Sequence, residues 1–111
     1  MADESRIIVS DVMQGSESVS GTRDGTLLAL AVARAMGAAC LQVAVDFQRI
    51  VAMTNSAACA FWVRVFRDEG TQAASTICFI NVHPVVLRSL EYGLEQAQRL
   101  ADEKQQERVA R

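Results

Sequence analysis

The chain has 111 residues, half of them hydrophobic and 22% charged, with a formal net charge of −2. That length suits one domain with a packed core, and that hydrophobic share excludes a disordered chain. An acidic balance with 5% aromatics lacks the basic surface and the stacking platforms of a nucleic-acid binder, so no nucleic-acid partner is expected.

In chain order, residues 6–12 (RIIVSDV) are a β-branched run and predict the first strand. Residues 13–21 are rich in Ser, Gly and Glu and read as a connection, with room for a short strand at Ser18, Val19 and Ser20. From Thr22 the period changes: Leu28, Ala31, Val32, Ala35, Met36 and Ala39 recur at helical spacing on one face. Thr22 is the expected N-cap, Asp24 falls in the favourable first turn, and Gly37 or the residues just after it should end the helix.

Residues 41–46 (LQVAVD) predict a strand with Leu41, Val43 and Val45 on one face, and residues 47–53 should cross the end of the sheet. Thr54, Asn55 and Ser56 are capping residue types ahead of a helix expected over residues 57–69, with Gly70 as its left-handed terminator. That helix leaves only Arg64, Arg67, Asp68 and Glu69 for solvent, so it is buried, or half of it faces a partner. Residues 76–82 predict a further strand, apolar enough to be a parallel strand covered on both faces. Pro84 suits the first position of a last helix, whose inner face would carry Leu87, Leu90, Leu94, Ala97 and Ala101. Residues 102–111 are charged and predict a solvated helical extension or tail.

Alternating strands and helices predict one α/β domain over residues 1–111: a small mixed, largely parallel sheet of βα units with helices packed against it. No window of about 18 uninterrupted apolar residues occurs, so no membrane span is expected. Met1 to Ser5 is acidic and polar, unlike a secretory leader, and Cys40, Cys59 and Cys78 show no paired spacing. Reduced thiols in a cytoplasmic protein are expected.

In open α/β sheets functional groups gather at the carboxyl ends of the strands, here residues 47–56 and 81–84. Thr54, Asn55 and Ser56 stand where a strand exit meets a helix N-terminus, whose free N–H groups favour an anion or a phosphorylated hydroxyl. Asn55 or Ser56 as a simple helix cap is the plainer reading, and the two roles are compatible. Arg23 in an early helical turn could meet a phosphate or carboxylate, or simply be solvated. A catalytic dyad would need His83, the only histidine, beside Cys59 or Cys78, both of which sit among apolar residues like small hydrophobes. One histidine and no close cysteine pair predict no metal site, and no glycine-rich loop predicts a nucleotide cofactor.

Val45, Asp46 and Phe47, the segment Ile50-Val-Ala-Met-Thr-Asn-Ser-Ala57 and the helix after it resemble the STAS domain of anti-sigma-factor antagonists and sulfate transporters. In that family a "V-L-D-L" strand and a "V-x-F-M-D-S-S-G-L" segment precede a helix. Cys78-Phe-Ile-Asn-Val-His-Pro84, with Val86, Arg88 and Leu90, resembles its final strand, proline and following helix. Arg23, the Asp-Phe pair and the Ser-Ala helix start are closer still to the bacterial STAS-like domain family of unknown function. The similarity spans residues 19–97. In the antagonists the second serine of the segment accepts phosphate from a kinase; Ser56 matches it, Asn55 matches the first serine and Thr54 replaces the aspartate. Ala57 stands where the family has glycine.

The resemblance implies a non-catalytic, bacterial regulatory module without cofactors, whose partner is a serine kinase or another regulator. The expected interaction surface comprises Thr54, Asn55, Ser56, Ala57 and Phe61, with His83 and Arg23, and a homodimer stays open. The alternatives are a small-ligand or nucleotide sensor using the same strand-end pocket and a minor Cys/His enzyme.

Overall fold

Val43 and Val45 lie in the middle strand of a three-stranded parallel sheet ordered β1-β3-β5, formed by Glu4–Ile8, Gln42–Asp46 and Ile77–Ile80. The architecture, a computed structural model describing residues 4–37 and 42–109, is mixed α/β and 66% helical, with helices packed against a small parallel sheet. A short helix α1 (Val9–Val12) follows β1, and β2 (Ser18–Val19) pairs in parallel with β4 (Ala52–Met53) apart from the main sheet. Helices α2 (Gly21–Gly37) and α3 (Asn55–Glu69) are the crossovers, and α4 (Pro84–Val109) follows β5. A 3-10 stretch, Thr71–Thr76, joins α3 to β5.

The pleat explains which residues form the core. Ile7, Val45 and Phe79 share one cross-strand row, and Ser5, Val43 and Ile77 share the next. The first row meets the helices: the Phe79 ring lies 5.7 Å from Trp62, 5.9 Å from Phe47 and 6.3 Å from Phe61, in tilted and edge-to-face arrangements that favour aromatic pairs. Both crossovers advance across the sheet in the same direction. Right-handed connections therefore set α2 and α3 side by side on one face, and α4 packs on α3.

Helix α3 is the centre of this layer, and two glycines let its neighbours reach it. A Cβ on Gly25 of α2 would stand 2.1 Å from the Ala57 carbonyl oxygen, and one on Gly93 of α4 would stand 2.6 Å from the Ala58 carbonyl carbon. Ala57, Ala58, Phe61, Trp62 and Val65 are buried along that helix. Trp62, buried as its aromatic character suggests, donates its Nε1–H to the Leu90 carbonyl at 3.0 Å. Ser89, also buried, donates to the Met53 carbonyl at 2.7 Å, fixing α4 to β4.

Several expectations are corrected. The first strand stops at Ile8, because residues 9–12 turn into α1 and bury Val9 rather than extending the sheet. Thr22 is not the cap of α2, which begins at Gly21 (φ 75°), and the Asp24 carboxylate instead accepts the Ser20 N–H at 2.9 Å. Helix α3 starts two residues earlier than expected and exposes Val63 as well as its charges. Gly70 does have positive φ (88°), but its ψ of 165° is extended rather than left-handed helical. Strand β5 is an edge strand, not one covered on both faces: Cys78, Phe79 and Ile80 are all partly exposed. On α4, Leu90 and Ala97 are buried and Leu94 packs against the core as expected, but Leu87 is exposed and Val86, Ser89 and Gly93 join the inner face, because Gly93 rather than Leu87 must face α3. Ala39, Cys40 and Leu41 lie outside the described residues.

The strand at Ser18 and Val19, Pro84 as the first residue of α4 and the helical extension beyond Asp102 appear as read from the sequence; α2 is helical through Gly37, and the residues just after it lie outside the described ones. No helix among the described residues is long and apolar enough to cross a membrane.

Alanine has the better helix propensity by about 1 kcal/mol, but a Cβ driven into rigid backbone costs about 3 kcal/mol or more. Gly25→Ala and Gly93→Ala should therefore each lower stability by roughly 2 kcal/mol, read as a drop in the urea midpoint at unchanged slope. A rise in midpoint for either would show that the helices are not in contact there.

Candidate functional site

The carboxyl end of the sheet is where α2, α3 and α4 all begin, and two polar groups organise it. The first is Thr54. The short β2–β4 ladder delivers it: the Val51 N–H bonds the Glu17 carbonyl at 2.8 Å, and the Thr54 N–H bonds the Val19 carbonyl at 3.0 Å. With extended φ and ψ (−75°, 153°) Thr54 is the N-cap of α3, its Oγ1 accepting the Ala57 N–H at 3.2 Å. The same oxygen accepts the Gly21 N–H at 2.9 Å, so one hydroxyl serves the first turns of two helices. The capping role expected of Asn55 or Ser56 thus belongs to Thr54.

Ser56 is exposed in the first turn of α3, its Oγ 3.2 Å from Thr54 Oγ1, and Asn55 beside it is exposed too. No acidic residue occupies that turn, so no side-chain charge within it offsets the partial positive charge of the helix end. Arg23 is exposed two residues beyond Gly21, at the same end of the molecule. The expected surface shrinks on its apolar side: Ala57 and Phe61 are fully buried, because Gly25 and the Phe79–Trp62 cluster claim their face of α3. His83 immediately precedes α4, exposed, with Nδ1 accepting the Val85 N–H at 3.2 Å, and no hydrogen bond joins it to Thr54 or Ser56.

The second organiser is Asp46, which sequence reasoning passed over as the end of a strand. Its carboxylate is buried at the carboxyl end of the central strand. Oδ2 accepts Arg6 Nε at 3.2 Å and also Arg6 Nη2, while Oδ1 accepts the Gln48 N–H at 2.9 Å and Asn81 Nδ2 at 3.0 Å. One side chain thereby ties β1, the β3 exit and the end of β5. Burial pushes its pKa up, but the bonds from Arg6, Asn81 and the Gln48 N–H, with the Arg6 charge, outweigh that and hold it below the usual carboxylate range. The available signal was a lone acid closing an apolar strand, with Asn81 closing the neighbouring one.

Thiol chemistry has little support here. Burial raises the pKa of the Cys59 thiol, which disfavours the thiolate a nucleophile needs. Cys78 is a half-buried residue of β5. Among the described residues no three His, Cys, Asp or Glu side chains gather as a metal site, and no buried side-chain polar atom lacks a hydrogen-bond partner.

Two outcomes follow from this geometry. Thr54→Ala leaves the N–H groups of Gly21 and Ala57 without their acceptor and should cost about 1–2 kcal/mol, with Thr54→Ser recovering most of it. A thermal melt that does not distinguish Thr54→Ala from the native chain would contradict the shared cap. For Asp46 the folded pKa is depressed, so its contribution is present above the unfolded value of about 4 and is lost as pH falls through the folded pKa. Asp46→Asn should cost about 1.5–3 kcal/mol near neutral pH, toward the lower end because the Arg6 side chain is 55% exposed. The native chain's advantage over Asp46→Asn should then shrink on acidification; an advantage constant with pH would contradict the ionised carboxylate.

In comparisons with known proteins, no family model, no curated protein and no solved structure matches this chain.

Proposed function

We propose that the chain is a non-catalytic STAS-like interaction module of bacterial signalling, switched by phosphorylation of Ser56. The observation that carries this reading is the position of the Ser56 hydroxyl, exposed in an acid-free first turn beside the hydroxyl that caps two helices. A phosphate there would bring about −1.5 to −2 charges to the positive end of α3, where free N–H groups and the helix dipole favour it. Thr54, the residue standing for the family's aspartate, is occupied by capping, and the exposed Ser56 hydroxyl, hydrogen-bonded to Thr54 Oγ1 at 3.2 Å, is the one not spent on a backbone N–H.

The module reading is also supported by a high Cys59 pKa and by a sheet end whose buried carboxylate is fully bonded rather than poised for proton transfer. The partner surface consists of what is exposed there: Thr54, Asn55 and Ser56, flanked by Arg23. Phosphorylation leaves the fold unchanged, since Ser56 caps nothing, and acts on a docked protein by placing a charge that it must desolvate or repel.

Phosphopeptide mapping of the full chain isolated from its own cells should find phosphate on Ser56, and none at that turn in Ser56→Ala. Ser56→Asp should keep the native melting behaviour while weakening the regulatory partner by roughly 10- to 100-fold, about 1–3 kcal/mol. Phosphate absent from Ser56, together with equal partner affinity for Ser56→Asp and the native chain, would overturn the reading.

A further inference from the structure

A hydroxyl oxygen carries two lone pairs and one proton. Both lone pairs of Thr54 Oγ1 are taken, one by the Gly21 N–H at 2.9 Å and the other by the Ala57 N–H at 3.2 Å. Its proton goes to its one further partner, Ser56 Oγ, 3.2 Å away. Thr54 donates and Ser56 accepts.

The two hydroxyls are thereby made unequal. Thr54 has no lone pair left with which to attack. Ser56 Oγ spends one lone pair on Thr54 and keeps the other, and among the described residues its own proton has no acceptor. We infer that Thr54 is the positioning residue of the switch, holding Ser56 in one rotamer with its proton and its free lone pair turned to solvent. The assignment deepens the reading of Ser56 as the phosphorylated residue and rests on it. In the transfer a protein serine kinase supplies the base and a nucleoside triphosphate the phosphoryl group. Ser56 Oγ bonds to the terminal phosphorus, the bond from that phosphorus to the bridging oxygen breaks, and nucleoside diphosphate leaves with the electron pair. The Ser56 proton passes to the kinase's base. Base and phosphorus both arrive from the solvent side, where Thr54 leaves the groups they need.

A residue that positions another must itself be fixed. The Thr54 N–H bonds the Val19 carbonyl at 3.0 Å, and the Thr54 carbonyl accepts the Ala58 N–H at 3.1 Å. Its β-branched side chain is stiff at χ1, and two backbone N–H groups grip the hydroxyl. Ser56 has one anchored neighbour and solvent around the rest.

The Hα–Hβ couplings of Ser56, read by NMR on the full chain well below its melting transition, report the rotamer directly. The native chain and Thr54→Ser should show a single staggered rotamer, and Thr54→Val an average over several. Gly93→Ala, destabilised at a distance from the hydroxyls, should keep the native coupling, which separates positioning from lost stability. Phosphate occupancy at Ser56 in chain isolated from its own cells should fall at least about 10-fold in Thr54→Val and stay native in Thr54→Ser and Gly93→Ala. Circular dichroism checks that Thr54→Val folds; if it does not, the native coupling still decides, since an averaged Ser56 there overturns the inference. Phosphate on Thr54, or a folded Thr54→Val with native occupancy at Ser56, would overturn it too while leaving Ser56 as the switch. A single native rotamer with no phosphate on Ser56 overturns the switch, and with it the role of Thr54 in the transfer.

Discussion

Everything in the helical layer depends on how closely α2 and α4 approach the first two turns of α3. Backbone stands against backbone at Gly25–Ala57 and Gly93–Ala58, where not even a methyl group fits. That distance lets the Trp62 indole reach the Leu90 carbonyl and the Ser89 hydroxyl reach the Met53 carbonyl. It also brings the start of α2 to the start of α3, so that Thr54 can bond the N–H groups of both. A wider spacing would forfeit dispersion contacts along the whole seam and strand a buried indole N–H and a buried hydroxyl.

The same constraint divides the α3 N-terminus into two sides. Ala57, Ala58 and Phe61 belong to the core, while Asn55 and Ser56 project from a turn whose backbone is held on its inner side. Asp46 does for the sheet what Thr54 does for the helices: one side chain joins elements that are remote in sequence, from Arg6 to Asn81. A change of charge at Ser56 therefore meets a scaffold already fixed from two directions, which is what a switch read by a partner, rather than by the fold, requires.

Helix type was legible because periodicity reports burial, Leu28 and Val32 recurring at helical spacing, whereas β3 was legible from its β-branched Val43 and Val45, since Val43 to Asp46 are all buried. Proline fixed the start of α4 in the reading for a local steric reason. What escaped was set by distant contacts. Leu87 fits the helical period as well as Val86 does, and only the approach of Gly93 to Ala58 decides which of them faces inward. Thr22 is as good a capping residue as Thr54, but the Asp24 carboxylate takes the local N–H and Thr54 arrives from 33 residues away. The Asp46 cluster joins residues 35 and 40 positions apart, which no local pattern encodes. Two-residue strands such as β2 and β4 carry too few residues for alternation to show, and only β2 was anticipated.

The central claim is that the first turns of α3 are a rigid part of the core and that Ser56 is a surface feature upon them. Native-state amide hydrogen exchange tests it most directly, residue by residue, in the native chain and in Ser56→Asp. The account predicts that the amides of Phe61, Trp62 and Val65 exchange only through global unfolding, and equally so in both proteins. Exchange of those amides by local opening of α3, or their loss of protection in Ser56→Asp, would contradict it.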